Sequence, residues 1–383
     1  MSFMEPSPAL AGVEALVSPA LVFFLERIEG NLGAVLRMVG GRAECLRPHV
    51  KTHKTREISR LWMALRVTKH KAATLVEAEM LAQERASDVL VSYPLVGPAP
   101  DRLAFLAKAY PHTRFSALVD SWETLDGIGR AAKGQGCTLG VMVDLDVGQH
   151  RTGVGQTALR RELIEALAQP GPLEPAGIHA YDGHLSMDSP EERRQLARGV
   201  LEEALAAREM ALKAGWPVLT PLVVSGSPAF PAHCESLQTV ENLELSPGTI
   251  VLFDTGYARY RDLSAHFNPA AAVLTRVISR PQPDMVTLDC GTKAIASDPP
   301  LAKRARVEGL EDAEIIGHNE EHLVLRTSRA AEWPVGRTTL AWPWHICPTV
   351  AWHDQAWVFE KGQAVGVWPV AARGRQKVSR SGL

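Results

Sequence analysis

The chain has 383 residues, of which 46% are hydrophobic and 22% charged, and its formal net charge is −2 at pH 7. This composition is typical of a globular protein, and the length predicts two domains rather than one hydrophobic core. The near-zero charge argues against a nucleic-acid or membrane partner, because no basic excess exists to neutralise phosphates.

The sequence also predicts a cytoplasmic protein. No apolar run reaches the roughly 20 residues needed to span a bilayer. The first twelve residues lack the basic and apolar regions of a secretory signal. The five cysteines are scattered without a CxxC pair, which is typical of free thiols in a reducing compartment.

Short apolar runs alternate with amphipathic segments in the first part of the chain. Two helices are predicted, one over 74–86 with a threonine N-cap and one over 189–215 between Ser-Pro and a glycine. Eight strands with crossovers between them favour a (β/α)8 barrel, an α/β fold, over an open doubly wound sheet. The predicted strands are 43–50, 66–73, 88–95, 114–120, 138–146, 175–183, 221–227 and 248–254.

The sequence changes character after residue 265. Strand-like segments there are broken by glycine, proline and charged turns, and six of the nine tryptophans lie in 333–368. We therefore predict a barrel domain over 20–265 and a mostly β domain over 266–383, with residues 1–19 joining the second domain. The apolar run 19–26 is predicted to pair with the first barrel strand.

Lys51 ends the first predicted barrel strand, in the segment LRPHVK. The C-terminal ends of barrel strands form the catalytic face. A lysine there can form a Schiff base with an aldehyde cofactor if partial burial and nearby cations favour its neutral form. His49, His53 and Lys54 are the candidate cations, and Lys54 is predicted to start the following helix. The alternative, a solvated basic loop, is the commoner explanation for a lysine taken alone.

The turn after the seventh predicted strand has the composition of a phosphate site. Ser225, Gly226 and Ser227 lie where barrels commonly bind phosphate through backbone amides and hydroxyls. A plain tight turn of Gly-Ser-Pro type explains the same residues.

The loops after the fifth and sixth predicted strands are rich in titratable groups. His150 and Arg151 follow the fifth strand, and the guanidinium of Arg151 suits a phenolate oxygen. Tyr181, Asp182 and His184 lie at the end of the sixth strand and are candidates for acid–base work. An ordinary charged loop remains the alternative for both segments.

His345 and Cys347 form a candidate metal pair. Residues two apart on a strand point to the same face, and imidazole with thiolate suits zinc or another borderline-soft divalent ion. Two protein ligands predict an open site completed by water or substrate. A buried cysteine beside a surface histidine is the alternative. His318, Glu321 and His322 are possible additional ligands.

Several segments together resemble the D-threonine aldolase and D-serine dehydratase family of pyridoxal-phosphate enzymes, which has the alanine racemase fold. The resemblance extends over about residues 20–376 and is stronger to the aldolase branch. Its quoted segments are RPHVKTHK, TKHKAATLVEAEMLA, DVGQHRTGVG, SGSP, SPGTIVLFD, WHICPTV and WPVAARGR.

The resemblance implies roles for the candidate residues. Lys51 is expected to carry pyridoxal 5'-phosphate as a Schiff base, with Arg151 at the phenolic oxygen. A divalent metal (Mn, Zn, Co or Mg) is expected on His345 and Cys347, and the chain is expected to form a homodimer. Ser246 stands where many members carry a basic residue, which leaves the partner of the pyridine nitrogen open. The further cofactor contacts implied are His49, Tyr181, Ser225, Gly226, Ser227 and Asp254.

The implied activity is cleavage of a D-β-hydroxy-α-amino acid by retro-aldol reaction, as with D-threonine giving glycine and acetaldehyde. Lys51 is the expected base for an α-proton, and His184 and a metal-bound water are the two candidates to accept the hydroxyl proton. The alternatives are a D-serine dehydratase-like β-elimination and an amino-acid racemase. A non-catalytic pyridoxal-phosphate carrier is less favoured, because such proteins usually end at the barrel.

Overall fold

The structure is a computed structural model that describes residues 8–375. The strands are β1 Ala20–Phe24, β2 Lys69–Ala72, β3 Asp88–Pro94, β4 Arg114–Val119, β5 Leu139–Leu145, β6 Leu173–Ala180, β7 Leu222–Val224, β8 Leu243–Leu245, β9 Ala271–Ser279, β10 Met285–Leu288, β11 Ala305–Val307, β12 Glu314–His318, β13 Leu323–Arg326, β14 Thr338–Pro343, β15 Gln355–Glu360 and β16 Gln363–Pro369. The α-helices are α1 Leu25–Met38, α2 Arg56–Ala64, α3 Leu75–Gln83, α4 Ala99–Ala109, α5 Trp122–Gln135, α6 Thr157–Leu167, α7 Pro190–Lys213, α8 Phe230–Ser236, α9 Arg261–Ser264 and α10 Ile346–Trp352. Within residues 8–375, none of these helices is long and apolar enough to cross a bilayer.

The chain divides into two compact units, which we call the barrel unit and the β unit. Within the described residues, the barrel unit comprises Leu36–Lys51, Ile58–Gly248 and 374–375. The β unit comprises 8–35, Thr52–Glu57 and Thr249–Arg373. The division differs from the predicted domains 20–265 and 266–383, since 20–35, 52–57 and 249–265 fall in the β unit.

A parallel sheet of seven strands, β2 to β8 in sequence order, forms the barrel unit. Residues 46–50 lie between its two edge strands and bridge them. Leu46 pairs with Leu245 of β8 and His49 pairs with Lys71 of β2, both in parallel. The amide of Arg47 donates to Leu245 O at 2.8 Å, and the amide of Val50 donates to Lys71 O at 3.0 Å. These bonds supply the eighth position and confirm the barrel predicted from the sequence.

Two of the predicted barrel strands need correction. The segment 248–254 is not a strand: Thr249–Val251 is a 3-10 helix, and the last strand is the short β8. Pro247 lacks a backbone N–H and Gly248 follows it, so a strand does not continue through this pair. The predicted strand 43–50 begins as the 3-10 helix Ala43–Cys45 and becomes extended only afterwards.

The β unit contains a sheet of nine strands. Strand β1 pairs antiparallel with β9 and parallel with β15. The predicted pairing of 19–26 with the first barrel strand is therefore wrong. All five residues of β1 are buried, and a strand buried on both faces suits the interior of a sheet with partners on both edges. Its side chains Val22 and Phe24 pack in one cluster with Trp342.

The two helices predicted with caps are confirmed. Thr74 Oγ1 accepts the Glu77 amide at 3.1 Å at the start of α3, and Ser189 Oγ accepts the Glu192 amide at 3.2 Å at the start of α7. Gly215 follows α7 with φ of 93°, a left-handed conformation that glycine adopts without strain.

An ion network lies inside the barrel below its C-terminal face. Arg47, 1% exposed, contacts Glu244 through Nε at 2.6 Å and Asp88 through Nη1 at 2.5 Å. Lys69 Nζ contacts the second Glu244 oxygen at 2.5 Å. A buried charge is costly in free energy unless a charge of opposite sign lies close to it, so removal of one residue of this network is expected to destabilise the fold.

Replacing Arg47 with methionine is expected to lower the free energy of unfolding by about 3–5 kcal/mol, since it removes the partner of Asp88 and one of the two cations that hold the buried Glu244. Denaturant unfolding of both proteins measures the loss. The matched control is Arg60→Met, which removes an exposed ion pair with Glu84 and should cost about 1 kcal/mol or less. Equal losses in the two variants would contradict the stabilising role of the buried network.

Candidate active site

A cavity of about 530 Å³ opens around Lys51 in the barrel unit. Lys51 directly follows the bridging segment 46–50, so it stands at the C-terminal end of the first barrel position, on the face where barrels place catalytic groups. The cavity is lined by His49, Lys51, Lys71, Ala73, Ser92, Tyr93, Pro94, Val96, Leu118, Asp144, Leu145, Asp146, Val147, Gln149, Arg151, Thr152, His179 and Tyr181.

Three cationic side chains surround the ring of Tyr181 in this cavity. Lys51 Nζ lies 5.5 Å, Lys71 Nζ 5.4 Å and Arg151 Cζ 5.3 Å from the ring centroid. Cations are attracted to the face of an aromatic ring at such distances. The structure thus brings together three predicted residues, Lys51, Arg151 and Tyr181, and adds Lys71, which the sequence interpretation did not select.

The immediate setting of Lys51 differs from the predicted one. His49 lines the cavity: its Nδ1 accepts the Lys51 amide at 3.3 Å, and its Nε2 lies 3.3 Å from Ser92 Oγ. His53 belongs to the β unit and is buried, with Nδ1 accepting the Thr55 amide at 3.1 Å. In the barrel unit the cations that share the cavity with Lys51 are therefore Lys71 and Arg151.

Lys54 was predicted to start the following helix, and this prediction is wrong. Lys54 adopts a left-handed conformation with φ of 54°, which is incompatible with a helix, and α2 begins two residues later at Arg56. Lys54 belongs to the β unit and is not among the residues that line the cavity.

Lys71, Asp144 and His179 are functional candidates that sequence reasoning missed. The alternation of KHK in β2 was the available signal, because it puts Lys69 and Lys71 on one face. Asp144 Oδ1 accepts from His179 Nδ1 at 2.6 Å, and its Oδ2 accepts from Thr152 Oγ1 at 3.1 Å. Burial, and then the charge of Lys71, lowers the pKa of His179.

The loop after β5 separates its two basic residues. Asp146 Oδ1 accepts the amides of Gly148 and His150, and its Oδ2 lies 2.8 Å from His150 Nδ1. The His150 side chain is 82% exposed, whereas Arg151 lines the cavity. The predicted cofactor arginine thus faces the cavity, and His150 serves to hold the loop.

The predicted phosphate turn is held by Asp182. Its Oδ1 accepts the Gly226 amide, and its Oδ2 contacts Nε2 of the buried His233 at 2.6 Å. Ser225 has φ of 83°, and its Oγ donates to Gly226 O at 2.8 Å. The Gly226 amide is therefore engaged within the protein, and Asp182 is a positioning residue rather than the acid–base candidate expected.

His184 lies on the loop after β6 and is half-buried. Its Nδ1 makes no hydrogen bond within residues 8–375. A Cβ placed on Gly148 would come within 3.2 Å of His184 Nε2, which shows how closely this ring packs against the loop after β5. His184 is not among the side chains that line the cavity, so its catalytic role stays a prediction.

His345 and Cys347 do not lie on one strand, as predicted. β14 ends at Pro343, and α10 begins at Ile346 with His345 as its N-cap. Their side chains still interact by a hydrogen bond, and the backbone of the N-cap His345 is extended. Cys347 Sγ also lies 3.3 Å from Thr52 Oγ1 and 3.5 Å from Thr249 Oγ1.

Asp254 orients the helix that carries this pair. Its Oδ2 accepts the Ile346 amide at 3.0 Å, and its Oδ1 accepts the Tyr257 amide at 2.9 Å. A carboxylate at a helix N-terminus satisfies amides that have no partner within the helix. Asp254 belongs to the β unit and both its oxygens are engaged there, which favours a structural role over the predicted cofactor contact.

The pair has the chemistry of a metal site. His345 Nδ1 bonds to Asp298 Oδ2 at 2.6 Å, the carboxylate contact that commonly orients a ligating histidine and leaves Nε2 for the metal. Hydrogen bonds from His345, Thr52 and Thr249 outweigh burial and lower the pKa of the Cys347 thiol, which favours the thiolate. Imidazole and thiolate therefore fit a divalent ion.

The possible additional metal ligands, His318, Glu321 and His322, do not form a metal-binding group with His345 and Cys347 within residues 8–375. His318 contacts Arg304 and Cys290 O, and Glu321 forms an ion pair with Lys293. Across residues 8–375, no group of three or more His, Cys, Asp or Glu side chains is arranged for a metal. Water or substrate would have to complete the coordination.

The cavity fits an anionic aldehyde cofactor such as pyridoxal phosphate. It presents an amine for the aldehyde and two further cations for anionic groups. Among the buried polar atoms that make no hydrogen bond inside residues 8–375 are Lys71 Nζ and His179 Nε2, whose side chains line the cavity, and the Oγ of Ser246 just after β8. Burial of such groups costs free energy unless a partner is bound.

Comparison with known proteins gave matches along nearly the whole chain. The model of the alanine racemase N-terminal domain matches residues 24–255, and the model described as "Putative serine dehydratase domain" matches residues 270–359. Together these two models cover both the barrel and most of the region after it.

Three characterised relatives match at similar levels. D-threonine aldolase of Arthrobacter sp. is 29% identical over 97% of this chain and 95% of its own. 3-Hydroxy-D-aspartate aldolase of Paracoccus denitrificans is 29% identical over 96% and 95%. D-threo-3-hydroxyaspartate dehydratase of Delftia sp. is 28% identical over 88% and 92%.

A solved structure shares the architecture. D-threonine aldolase from Filomicrobium marinum superposes with a TM-score of 0.85 at 27% identity, covering 97% of this chain and 99% of that one. The barrel followed by a mostly β domain is thus the arrangement of a known enzyme, as predicted.

Proposed function

The chain belongs to the family defined by the alanine racemase N-terminal domain, and on that premise we propose that it is a pyridoxal-phosphate-dependent lyase of D-configured β-hydroxy-α-amino acids. The observation that carries the proposal is the cavity at Lys51, where an amine at the end of the first barrel position shares a cationic site with Arg151. The characterised relatives, which are aldolases and a dehydratase, support the same reaction class.

Four of the residues that would hold the cofactor line this cavity, His49, Lys51, Arg151 and Tyr181, whereas the turn Ser225–Ser227 is not among its lining residues. Lys51 would bind the aldehyde covalently, and Arg151 would pair with the phenolic oxygen through its directional guanidinium. His49 and Tyr181 would border the ring, and the turn at Ser225–Ser227 would receive the phosphate. When bound, pyridoxal phosphate supplies an electron sink for the α-carbon of an amino acid.

Two side chains are proposed to move protons. The Lys51 amine, once the amine of the substrate has replaced it at the aldehyde, would be free to accept a proton from the α-carbon or to return one there. His184, with its Nδ1 free of hydrogen bonds in residues 8–375, would accept the proton of the substrate β-hydroxyl. Loss of that hydroxyl proton is what retro-aldol cleavage of the Cα–Cβ bond requires.

We propose that His345 and Cys347 hold a divalent metal, of which Mn, Zn, Co and Mg are the candidates. Such an ion would supply Lewis acidity toward a β-hydroxyl oxygen. Asp298 would orient the imidazole and Asp254 the helix, as their hydrogen bonds indicate. The homodimer and the cytoplasmic location expected from the sequence stay predictions, and sedimentation of the purified chain tests the first.

Retro-aldol cleavage is the reaction we favour, in agreement with the sequence resemblance and with two of the three relatives reported. The second candidate is β-elimination, which the dehydratase relative and the serine dehydratase domain model favour. An aldolase gives glycine and an aldehyde, whereas a dehydratase gives an α-keto acid and ammonia.

Product analysis tests the proposal. Purified protein with pyridoxal phosphate and Mn²⁺ is incubated with D-threonine, D-serine and their L-forms, with and without EDTA. Glycine and acetaldehyde from D-threonine alone, lost with EDTA, are the expected result. An α-keto acid with ammonia would establish the dehydratase instead. EDTA-resistant inversion of configuration would establish a racemase, and no turnover of any kind would overturn the lyase proposal.

Replacing Asp182 with alanine is expected to weaken pyridoxal-phosphate binding about tenfold or more. The change frees the Gly226 amide and leaves the buried His233 without its carboxylate, so the phosphate turn loses its fixed shape. Absorbance titration of the apoprotein measures the affinity. Asp126→Ala, on the exposed face of α5, should bind as wild type does. Unchanged affinity in Asp182→Ala would show that the turn does not depend on this carboxylate.

A further inference from the structure

Lys71 is a buried amine that points into the barrel without a hydrogen-bond partner. It is 2% exposed, and its Nζ makes no hydrogen bond in the part of the chain that the structure describes, residues 8–375. Lys69, two residues earlier on the same face of β2, is bound to Glu244 at 2.5 Å. This face of β2 thus carries one lysine with a partner, Lys69, and one without a hydrogen-bond partner in residues 8–375, Lys71.

The carboxylates near Lys71 are already engaged. Asp144 bonds to His179 and Thr152, and Asp182 bonds to the Gly226 amide and His233. The unpartnered amine therefore does not take part in a structural ion pair. Burial, followed by the charge of Lys51, lowers the pKa of Lys71 to about 7, which is the behaviour of an amine whose counter-ion is absent.

The cavity supplies the place for that counter-ion. Lys71 lines it together with Lys51, and the two amines lie 5.4 and 5.5 Å from the same Tyr181 ring. Arg151 is assigned above to the phenolic oxygen and Lys51 to the aldehyde. Neither assignment provides a cation for the acidic groups that every amino-acid substrate carries.

We propose that Lys71 binds a carboxylate of the amino-acid substrate, an inference that rests on the proposed function. A buried ammonium that meets a carboxylate only on binding makes a charge-assisted hydrogen bond, and such bonds are strong where water is excluded. The carboxylate has two possible sources, the α-carboxylate that all substrates share or a second carboxylate on the side chain. The second would select dicarboxylic substrates, the class named for two of the relatives.

The test compares Lys71→Met with wild type, both loaded with pyridoxal phosphate. Calorimetric titrations with D-alanine and D-aspartate give dissociation constants, since these ligands differ by one carboxylate and both lack a β-hydroxyl. Weakening of about 10- to 100-fold is expected. A loss for both ligands assigns Lys71 to the α-carboxylate, and a loss for D-aspartate alone assigns it to the side-chain carboxylate.

Lys69→Met is the matched control, because Lys69 lies on the same strand face but is paired with Glu244. It should lower thermal stability and leave both dissociation constants within about twofold of wild type. Unchanged affinity for both ligands in Lys71→Met overturns the proposal, as does a variant that fails to load the cofactor while remaining folded. Wild-type protein that takes up no pyridoxal phosphate would instead overturn the proposed function itself.

Discussion

Lys51→Ala is expected to abolish the absorbance of covalently bound pyridoxal phosphate and to lower kcat by about 10³-fold or more. Lys51 is the amine at the C-terminal end of the first barrel position, inside the cationic cavity. Loss of a covalent nucleophile removes both the cofactor link and the adjacent proton acceptor. Spectra and initial rates on a cleavable D-amino acid measure the two effects.

Lys54→Asn is the matched control for this change. Lys54 lies three residues later in the β unit with φ of 54°, a conformation that asparagine tolerates. The control should keep the cofactor spectrum and most of the activity. If Lys54→Asn rather than Lys51→Ala loses the covalent cofactor, the assignment of the reactive lysine is wrong.

The double variant His345→Ala/Cys347→Ala is expected to lose the divalent metal and to lower turnover by about 10²-fold or more. The pair supplies both protein donors of the proposed site, and Asp298 already orients the imidazole. Removal of ligands removes the Lewis acid that would stabilise the developing alkoxide. Elemental analysis of the purified protein measures bound metal, and rates are compared with and without added Mn²⁺.

His266→Ala/Cys45→Ala is the control, since it also removes one imidazole and one thiol. His266 is exposed and Cys45 is a free, partly buried cysteine. This control should retain metal and turnover. A His345→Ala/Cys347→Ala protein that keeps both would exclude this metal site.

The barrel could be predicted because its strands are short apolar runs between helices with clear caps. Thr74 and Ser189 marked two helix starts correctly, and those caps act locally. The predictions for strands β1 and β8 were wrong for other reasons. β8 has only three residues, which is too short for a periodic signal. The partners of β1 are more than 200 residues away in the chain, so sequence neighbourhood misassigned them.

The residues of the candidate site that lie at or shortly after the end of a predicted strand could be identified from the sequence. Lys51 directly follows a predicted strand, Arg151 lies in the loop after another and Tyr181 lies at the end of a third, and the structure brings them to one cavity. Lys71 was missed because it lies within a strand, where a lysine usually indicates a solvent-facing side. Asp182 was wrongly predicted to act as an acid or base. Its bond to the Gly226 amide joins loops 44 residues apart in sequence, so the sequence around Asp182 gave no sign of it.

The side chains of His345 and Cys347 contact each other as predicted, although the secondary structure predicted for them was wrong. A shared strand face was expected, whereas the structure has a helix N-cap and its first turn. Pro348, the third residue of this helix, is compatible with its first turn, because the amides there have no partner within the helix. Spacing of two residues brings the side chains together in both geometries.

Reductive trapping tests the cofactor assignment most directly. Protein loaded with pyridoxal phosphate is reduced with borohydride, digested and mapped by mass spectrometry. We predict that the reduced pyridoxyl phosphate group is found on Lys51, in the peptide derived from LRPHVKTHK. A label on Lys54 or Lys71 instead, or no label in protein that is active on D-threonine, would contradict the proposed active site.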